Sequence, residues 1–356
     1  MTTATPAATL ALPGDITTLT GGYIYDRLLL EELRHAGHPM GLLQLPDGFP
    51  FPTPQDMAQA VTALQALPGD QPVIIDGLAF GALPTSEVAR IKAPIVALVH
   101  HPLALESGLP QDQQDHLWRT ERDNLRHAVA VLVPSPHTRD MLVERYDVAP
   151  DLIRVALPGI ARPCPRPAPV QGDAPPLILS VGILHPRKGH DVLIAALHRI
   201  ADLPWRAEIV GNPWEPGHAE ALQAQIDDTG LSARIHLAGR VSADRLNALY
   251  AEARIFALAT RYEGYGIVFN EALVHGLPVV SCRTGAVPDT VPADAGRLVA
   301  RDDPAAFADA LRDLLTVPGL RDTMAAAAQK RGDSLPTWAD TAAVAADALR
   351  SAMVRP

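Results

Sequence analysis

Arg261-Tyr262-Glu263-Gly264-Tyr265-Gly266-Ile267-Val268-Phe269-Asn270-Glu271 is the stretch from which the fold is read. The apolar run before it, Ala253 to Thr260, predicts a buried strand. Ala272-Leu273-Val274-His275 after it predicts a helix closed by Gly276. Strand, glycine turn and helix make the repeating unit of an α/β sheet, and here two carboxylates bracket the turn. Glu263 is expected at the mouth of the loop and Glu271 about two turns into the helix. Two readings stay open. The pair are solvated acids, or they are acceptors for the vicinal hydroxyls of a sugar and a ribose beside a helix N-terminus that favours an anion.

The same unit recurs on both sides of this stretch. In the second half, strands are expected at Leu177–Gly182, Ala207–Gly211, Arg234–Gly239, Ile255–Ala259, Pro278–Cys282 and Arg297–Ala300. Helices fall between them near 189–200, 217–228, 243–251, 267–275 and 304–316. The first half offers strands at Ala8–Leu12, Met40–Leu45, Val73–Ile75, Ile95–Val99 and Val129–Val133. Helical patterns there run from Tyr23 to Ala36 and near 55–65, 85–91, 112–126 and 136–146. Short all-apolar strands alternating with helices predict parallel sheets covered on both faces. Seven prolines within Pro158–Pro176, without apolar periodicity, mark a linker. The expected domains are therefore 1–165 and 166–335, with residues 336–356 a C-terminal helix returning to the first. Residues 1–7 read as a frayed tail.

Composition narrows the function. The net charge of −10 excludes nonspecific nucleic-acid binding. It divides at residue 165 into 11 Lys/Arg against 18 Asp/Glu, net −7, and 19 against 22, net −3, so neither half suits an anionic membrane. Two cysteines, Cys164 and Cys282, supply neither a disulfide framework nor a spaced metal motif. A soluble cytoplasmic protein with no membrane association is expected.

Three further places carry candidate chemistry. Arg187-Lys188 is a basic pair between a strand and a helix, where the helix dipole disfavours cations; it is either solvated or held for a diphosphate. The spacing is not that of a Walker loop. Gly21-Gly22, at the end of the polar loop Thr17 to Gly22, either forms an ordinary turn or admits a phosphate against the backbone. His100-His101 follows a strong strand; neighbours on a strand point to opposite sides, which is poor metal spacing. Glu106, Asp112 and Asp115 read as cap and surface acids. No Gly-x-Ser-x-Gly elbow anchors a hydrolase triad.

Taken together, these residues resemble the retaining nucleotide-sugar glycosyltransferases of the GT-B fold, family GT4. The matching runs are Val181-Gly182, Arg187-Lys188-Gly189-His190-Asp191-Val192-Leu193-Ile194, Ile209-Val210-Gly211 and Arg234 to Gly239. After these come Glu263-Gly264-Tyr265-Gly266 with Glu271-Ala272-Leu273, Gly276 to Val280, and Gly285 to Asp289. The glutamates form an E-x7-E element. The match is specific over about 177–316 and looser before it, through Gly21-Gly22, His100, Ser135 and Pro158-Gly159. Two departures stand out: Ile183 replaces a common basic residue, and Gly285-Ala286 replaces a common Gly-Gly.

The resemblance implies two Rossmann-like doubly wound domains facing each other across a cleft. A nucleotide-diphospho-sugar would be held mainly by the second and an acceptor mainly by the first. By position, Glu271 would bind the ribose hydroxyls and Glu263 those of the transferred sugar. Backbone amides of Gly264, Tyr265, Gly266 and Ile267 would contact sugar and phosphate. Lys188, with Arg187, would neutralise the departing diphosphate, which Gly21 and Gly22 would approach from the other domain. His100, with His101 as second choice, would touch the sugar near the reaction centre. His100, Lys188 and Glu263 are thus the expected catalytic set.

The leaving phosphate would help deprotonate the acceptor on the same face, so no enzymic nucleophile is needed. No cofactor and no metal are expected, since Asp-x-Asp is absent. The donor is expected to be a UDP-hexose before GDP-mannose, and the acceptor a soluble small molecule or saccharide before a lipid. The rival functions are a sugar-nucleotide-binding protein without catalysis and a sugar-nucleotide epimerase of the same fold.

Overall fold

The structure is a computed structural model that describes residues 7–106, 108–162 and 175–353. The expected tail up to residue 6, Cys164, the 165/166 boundary and most of the proline-rich linker lie outside the described residues. The chain forms two compact units, one within Met1–Gly159 and Pro336–Pro356 and the other within Ile160–Leu335.

The first unit carries β1 (Ala8–Pro13), β2 (Met40–Leu45), β3 (Val73–Asp76), β4 (Ile95–Leu98), β5 (Ala128–Val133) and β6 (Ile153–Val155). They form one parallel sheet in the order β2-β1-β3-β4-β5-β6. All four residues of β3 and of β4 are buried, which is why β4 and the first three residues of β3 read as apolar runs. Helix Gly21–His35 begins two residues before the pattern suggested. Gly21 and Gly22 are its first turn rather than the end of a loop, because Thr20 supplies the extended N-cap and helical backbone resumes at once.

Helix Trp338–Ala352 completes this unit. Thr337 and Asp340 cap it reciprocally, and its Ala345, Ala348 and Leu349 are fully buried. It packs along helix Gly21–His35 and against β4, β5 and β6. Its start is fixed by Thr341 Oγ1 donating to Leu157 O at 2.6 Å and by Trp338 meeting Tyr25 edge-on at 5.5 Å. A side chain at Gly159 would collide with the Thr337–Trp338 backbone, so glycine is required there.

The second unit carries β7 (Leu177–Val181), β8 (Arg206–Val210), β9 (Ile235–Gly239), β10 (Ile255–Leu258), β11 (Val279–Cys282) and β12 (Gly296–Val299). Its parallel order is β12-β11-β10-β7-β8-β9. Two apolar clusters cover its sheet, one including Leu193, Ile209 and Phe307 and the other Leu179, Phe256 and Phe269. The chain leaves β7 toward β8 on one side and returns to β10 on the other, so a crevice opens between β7 and β10 beyond their carboxyl ends.

Among the elements not legible in the pattern are β6, the short helices Gly77–Phe80 and Val287–Thr290, and helix Leu320–Asp333. β6 is a three-residue edge strand, too short for a periodicity. Helix Leu320–Asp333 buries Met324, Ala328 and Gly332 at spacings of four, and such small residues show little apolar contrast with their neighbours. No helix among the described residues is long and apolar enough to cross a membrane.

Candidate active site

The loop after β7 turns through Pro186–Lys188, and Gly189 takes a left-handed φ of +66° before helix His190–Arg199. Any side chain at Gly189 would run into the Ala259 carbonyl, so this glycine lets the β7 loop lie on the end of β10. Arg261 holds the two loops together. Its guanidinium donates to both oxygens of Asp191, at 3.0 and 2.8 Å, to Asp302 at 2.7 Å, and to the Pro186 carbonyl.

This bracing brings together residues 75 positions apart. Lys188 Nζ donates to Glu263 Oε1 at 2.6 Å. Thr260 Oγ1 donates to the same oxygen at 3.1 Å. Arg187 Nη1 lies 3.8 Å from Glu263 Oε2 and donates to Tyr262 O at 3.0 Å. Glu263 is only 5% exposed, so it sits inside the loop cluster rather than at its mouth. Burial pushes its carboxyl up, but the Lys188 and Arg187 cations with the Lys188 and Thr260 bonds outweigh that and hold it below the usual value.

The backbone of Glu263 is fixed from behind. Its carbonyl accepts from Ala286 N at 2.9 Å, and Gly285, at φ +50°, lies against the same carbonyl where no side chain fits. Ala286 has a negative φ of −82°, so only the first residue of the expected Gly-Gly pair has to be glycine.

Gly266, at φ +87°, is the N-cap of helix Ile267–Val274. Glu271 is the fifth residue of that helix, a little over one turn in rather than two, because the helix begins only at Ile267. Its Oε2 accepts from Tyr250 OH at 2.7 Å, while burial pushes its carboxyl above the usual value against that bond. Tyr250 is itself stacked on His275 at 5.0 Å. The Tyr265 side chain turns inward, 8% exposed, and accepts from Asn270 Nδ2 at 2.8 Å; a ligand contact from Tyr265 therefore falls to its backbone. Gly264 lies between Glu263 and this buried ring.

The first unit holds its own cluster. His100 lies two residues beyond β4, with Nε2 2.9 Å from Asp26 Oδ1 and 3.6 Å from Asp76 Oδ2. Gly22 faces the ring; a Cβ there would lie 3.3 Å from His100 Cδ2, whereas one at Gly21 would meet nothing within 4 Å. His101 pairs instead with Glu106 at 3.0 Å, so Glu106 is more than a surface acid. One ligand atom each from Asp26, Asp76 and His100 fall within 4.8 Å of one another, a spacing that a small cation also fits.

Thr260, Tyr250, Asp26 and Asp76 were not singled out by the sequence. Only Asp26 left a trace, since it stands four residues after Gly22 on one helix and so shares its face.

Residues 175–317 match the family model described as glycosyl transferases group 1, and residues 27–162 match glycosyltransferase family 4. A D-inositol 3-phosphate glycosyltransferase of Acidothermus cellulolyticus is 34% identical over 203 residues, 51% of this chain and 44% of that protein. A GDP-mannose-dependent alpha-(1-6)-phosphatidylinositol monomannoside mannosyltransferase of Mycolicibacterium smegmatis is 35% identical over 159 residues, 41% of this chain and 40% of that protein. The chain spans about half the length of the curated relatives it matches. Among solved structures, sucrose-phosphate synthase from Thermosynechococcus elongatus superposes with a TM-score of 0.81 at 21% identity, covering 96% of this chain and 98% of that one. That likeness shows the fold, two Rossmann-like units of the GT-B type.

Proposed function

We propose, given that the chain belongs to the group 1 glycosyl transferases of glycosyltransferase family 4, that it transfers a hexose from a nucleotide-diphospho-sugar to an acceptor hydroxyl with retention of configuration. The observation that carries the reading is the Lys188–Glu263 contact at 2.6 Å with Arg187 beside it, set in the crevice between β7 and β10. Two cations sharing one carboxylate leave a net positive charge before ligand arrives, which matches a ligand bearing both phosphate charge and sugar hydroxyls. The diphosphate takes the cations, and the hydroxyls take the carboxylate.

In the reaction, the bond from the anomeric carbon to the phosphate oxygen breaks while the acceptor oxygen bonds to that carbon on the same face. The acceptor proton passes to the departing phosphate, whose growing charge Lys188 and Arg187 stabilise. Glu263 orients the transferred sugar, Glu271 the ribose, and His100 contacts the sugar. Gly21, Gly22 and the amides of Gly264 to Ile267 admit phosphate and sugar close to the backbone. No residue is assigned as nucleophile and no metal is assigned a role, so transfer is expected to persist in EDTA.

A UDP-hexose is the first donor proposed. GDP-mannose is the second, favoured by the mannosyltransferase relative whose name specifies it. A soluble acceptor is proposed over a lipid, since residues 1–165 carry a net charge of −7 and a basic lipid-binding face is not indicated. The reaction is placed in the cytoplasm, in keeping with two cysteines that form no framework.

The test is a panel of nucleotide sugars scored by thermal shift and then by product NMR. A specific donor raises the melting temperature by mass action, and Glu271→Ala is expected to raise its KM about 10- to 100-fold through loss of a charged hydrogen bond. Full donor affinity and turnover in Glu271→Ala would remove the assignment of roles. An inverted anomeric configuration would remove the mechanism, and epimerisation of the donor without an acceptor would make the protein an epimerase.

A further inference from the structure

His100 rests on two carboxylates that a sugar contact alone does not need. Asp76 ends β3, whose register sets it opposite Leu98 of β4, two residues before His100. Asp26 comes from the same face of helix Gly21–His35 as Gly22. Both carboxylates are nearly fully buried, with side-chain exposures of 2% and 4%, and both meet the same ring nitrogen, Nε2. Asp76 is held from its other side, since its Oδ1 accepts from Leu78 N at 3.0 Å. Gly22 covers ring atom Cδ2, and Tyr25 meets the ring edge-on at 5.1 Å. The ring keeps 20% exposure, and with Nε2 turned to the carboxylates, Nδ1 is the ring nitrogen left for a ligand.

We infer that Asp26 and Asp76 are positioning residues for His100: they hold its Nε2–H and keep the ring cationic, so that Nδ1–H faces the ligand as a hydrogen-bond donor. His100 on this account is not a general base. Two buried acids cannot both stay ionised without a cation between them, and the imidazolium is that cation. One imidazolium offsets only one of the two carboxylates, and the excess negative charge falls on Asp76. Burial pushes the Asp76 carboxyl up to about 7, with the Asp26 charge adding to it and His100 opposing it. Burial would lower the His100 ring, but Asp26 first and then Asp76 outweigh it and raise the ring above its ordinary value. Of the titratable neighbours outside this trio, Tyr25 gives its hydroxyl to Ala156 O at 2.8 Å, and Tyr23 is neutral, its phenol pushed up to about 12 by burial and by Asp76, Asp26 and Asp47. A cationic Nδ1–H suits a sugar hydroxyl beside a departing phosphate. This last step rests on the glycosyl-transfer reading; the charge state of the ring does not.

Two experiments separate those levels. Imidazole 15N NMR on the full chain is expected to show His100 doubly protonated at pH 7, with a pKa above that of free histidine. Asp26→Asn is expected to lower that pKa by about one unit or more. A neutral His100 at pH 7, or an unchanged titration in Asp26→Asn, would overturn the inference whether or not any sugar is transferred. Melting temperature rising on addition of Zn2+ or Mg2+, and no longer rising in Asp76→Asn, would also overturn it by making the cluster a cation site. Where transfer is measured, kcat is expected to fall as pH rises through the His100 pKa. That fall should move to lower pH in Asp26→Asn and remain near wild type in Asp26→Glu, a displacement that a merely structural role would not produce. A spectrum as expected with no transfer from any donor would remove the proposed function and leave the charge assignment in place.

Discussion

Glu263 meets Lys188, Thr260 and Arg187 at once, and it is paired before any ligand arrives. Replacing it with Ala would leave Lys188 and Arg187 facing each other around a buried space with no counter-charge. Breaking such a pair costs about 3–5 kcal/mol, so Glu263→Ala is expected to lower the melting transition of the second unit as well as abolish transfer. Lys188→Ala with Glu263→Ala should cost less than the sum of the two single changes, because each already removes the shared contact. Additive losses in a thermal or denaturant melt would show that the two residues do not depend on each other.

At the same scale, Glu121 is a buried acid of the first unit. Its Oε2 accepts from Leu103 N at 3.0 Å, and Oε1 has no partner among the described residues. Burial pushes the carboxyl up to about 8, with the Leu103 bond working the other way. A carboxyl raised on folding binds more protons in the native state than in the unfolded one. Stability is therefore lost as pH rises from about 4.5 to about 8. Glu121→Gln carries no such charge and is expected to melt progressively higher than wild type from pH 5 to pH 9, by several degrees at the upper end. A constant offset across that range would show that the wild-type carboxyl does not ionise late.

At the scale of elements, three glycines, two in loops and one in a helix, decide how closely neighbouring elements approach. Gly189 lets the β7 loop cross the end of β10, and Gly285 lets the loop after β11 back onto Glu263. Gly332 seats helix Leu320–Asp333 on the backbone of Leu273 and Val274, within the helix that carries Glu271. Gly189→Ala would place a side chain at φ +66° against a carbonyl, a conformational cost of roughly 1–2 kcal/mol before the collision is counted. It should destabilise the second unit and raise the donor KM, since Lys188 precedes it directly. Wild-type KM in a folded Gly189→Ala protein would mean that the β7 loop does not need this crossing.

For the whole molecule, the C-terminal helix belongs to the first unit although it follows the second in sequence. Ending the chain after Leu335 would uncover Tyr25, the β4–β6 face and the groove that holds Thr341. Calorimetry on that truncation is expected to show the first unit's transition lowered or lost and the second unit's retained. Loss of both together would mean that the helix is needed for the second unit to fold.

What the sequence determined by itself is the sheet architecture and the residue types of the candidate site. Strands buried on both faces, such as Ile95–Leu98 and Ile255–Leu258, are unbroken apolar runs, and turns at Gly182, Gly211 and Gly264–Gly266 punctuate them; both signals are local. Arg187-Lys188 and the two glutamates with seven residues between them were legible for the same reason, because each lies in one continuous loop-to-helix stretch.

The pairings were decided only by the tertiary structure. Lys188 meets Glu263 across 75 residues and His100 meets Asp26 across 74, and nothing in either local stretch specifies its partner. Such contacts exist because parallel sheets bring the carboxyl ends of strands distant in sequence to one edge. The glycines at that edge let their loops touch, and in the low-dielectric space so formed a charge has to find its counter-charge.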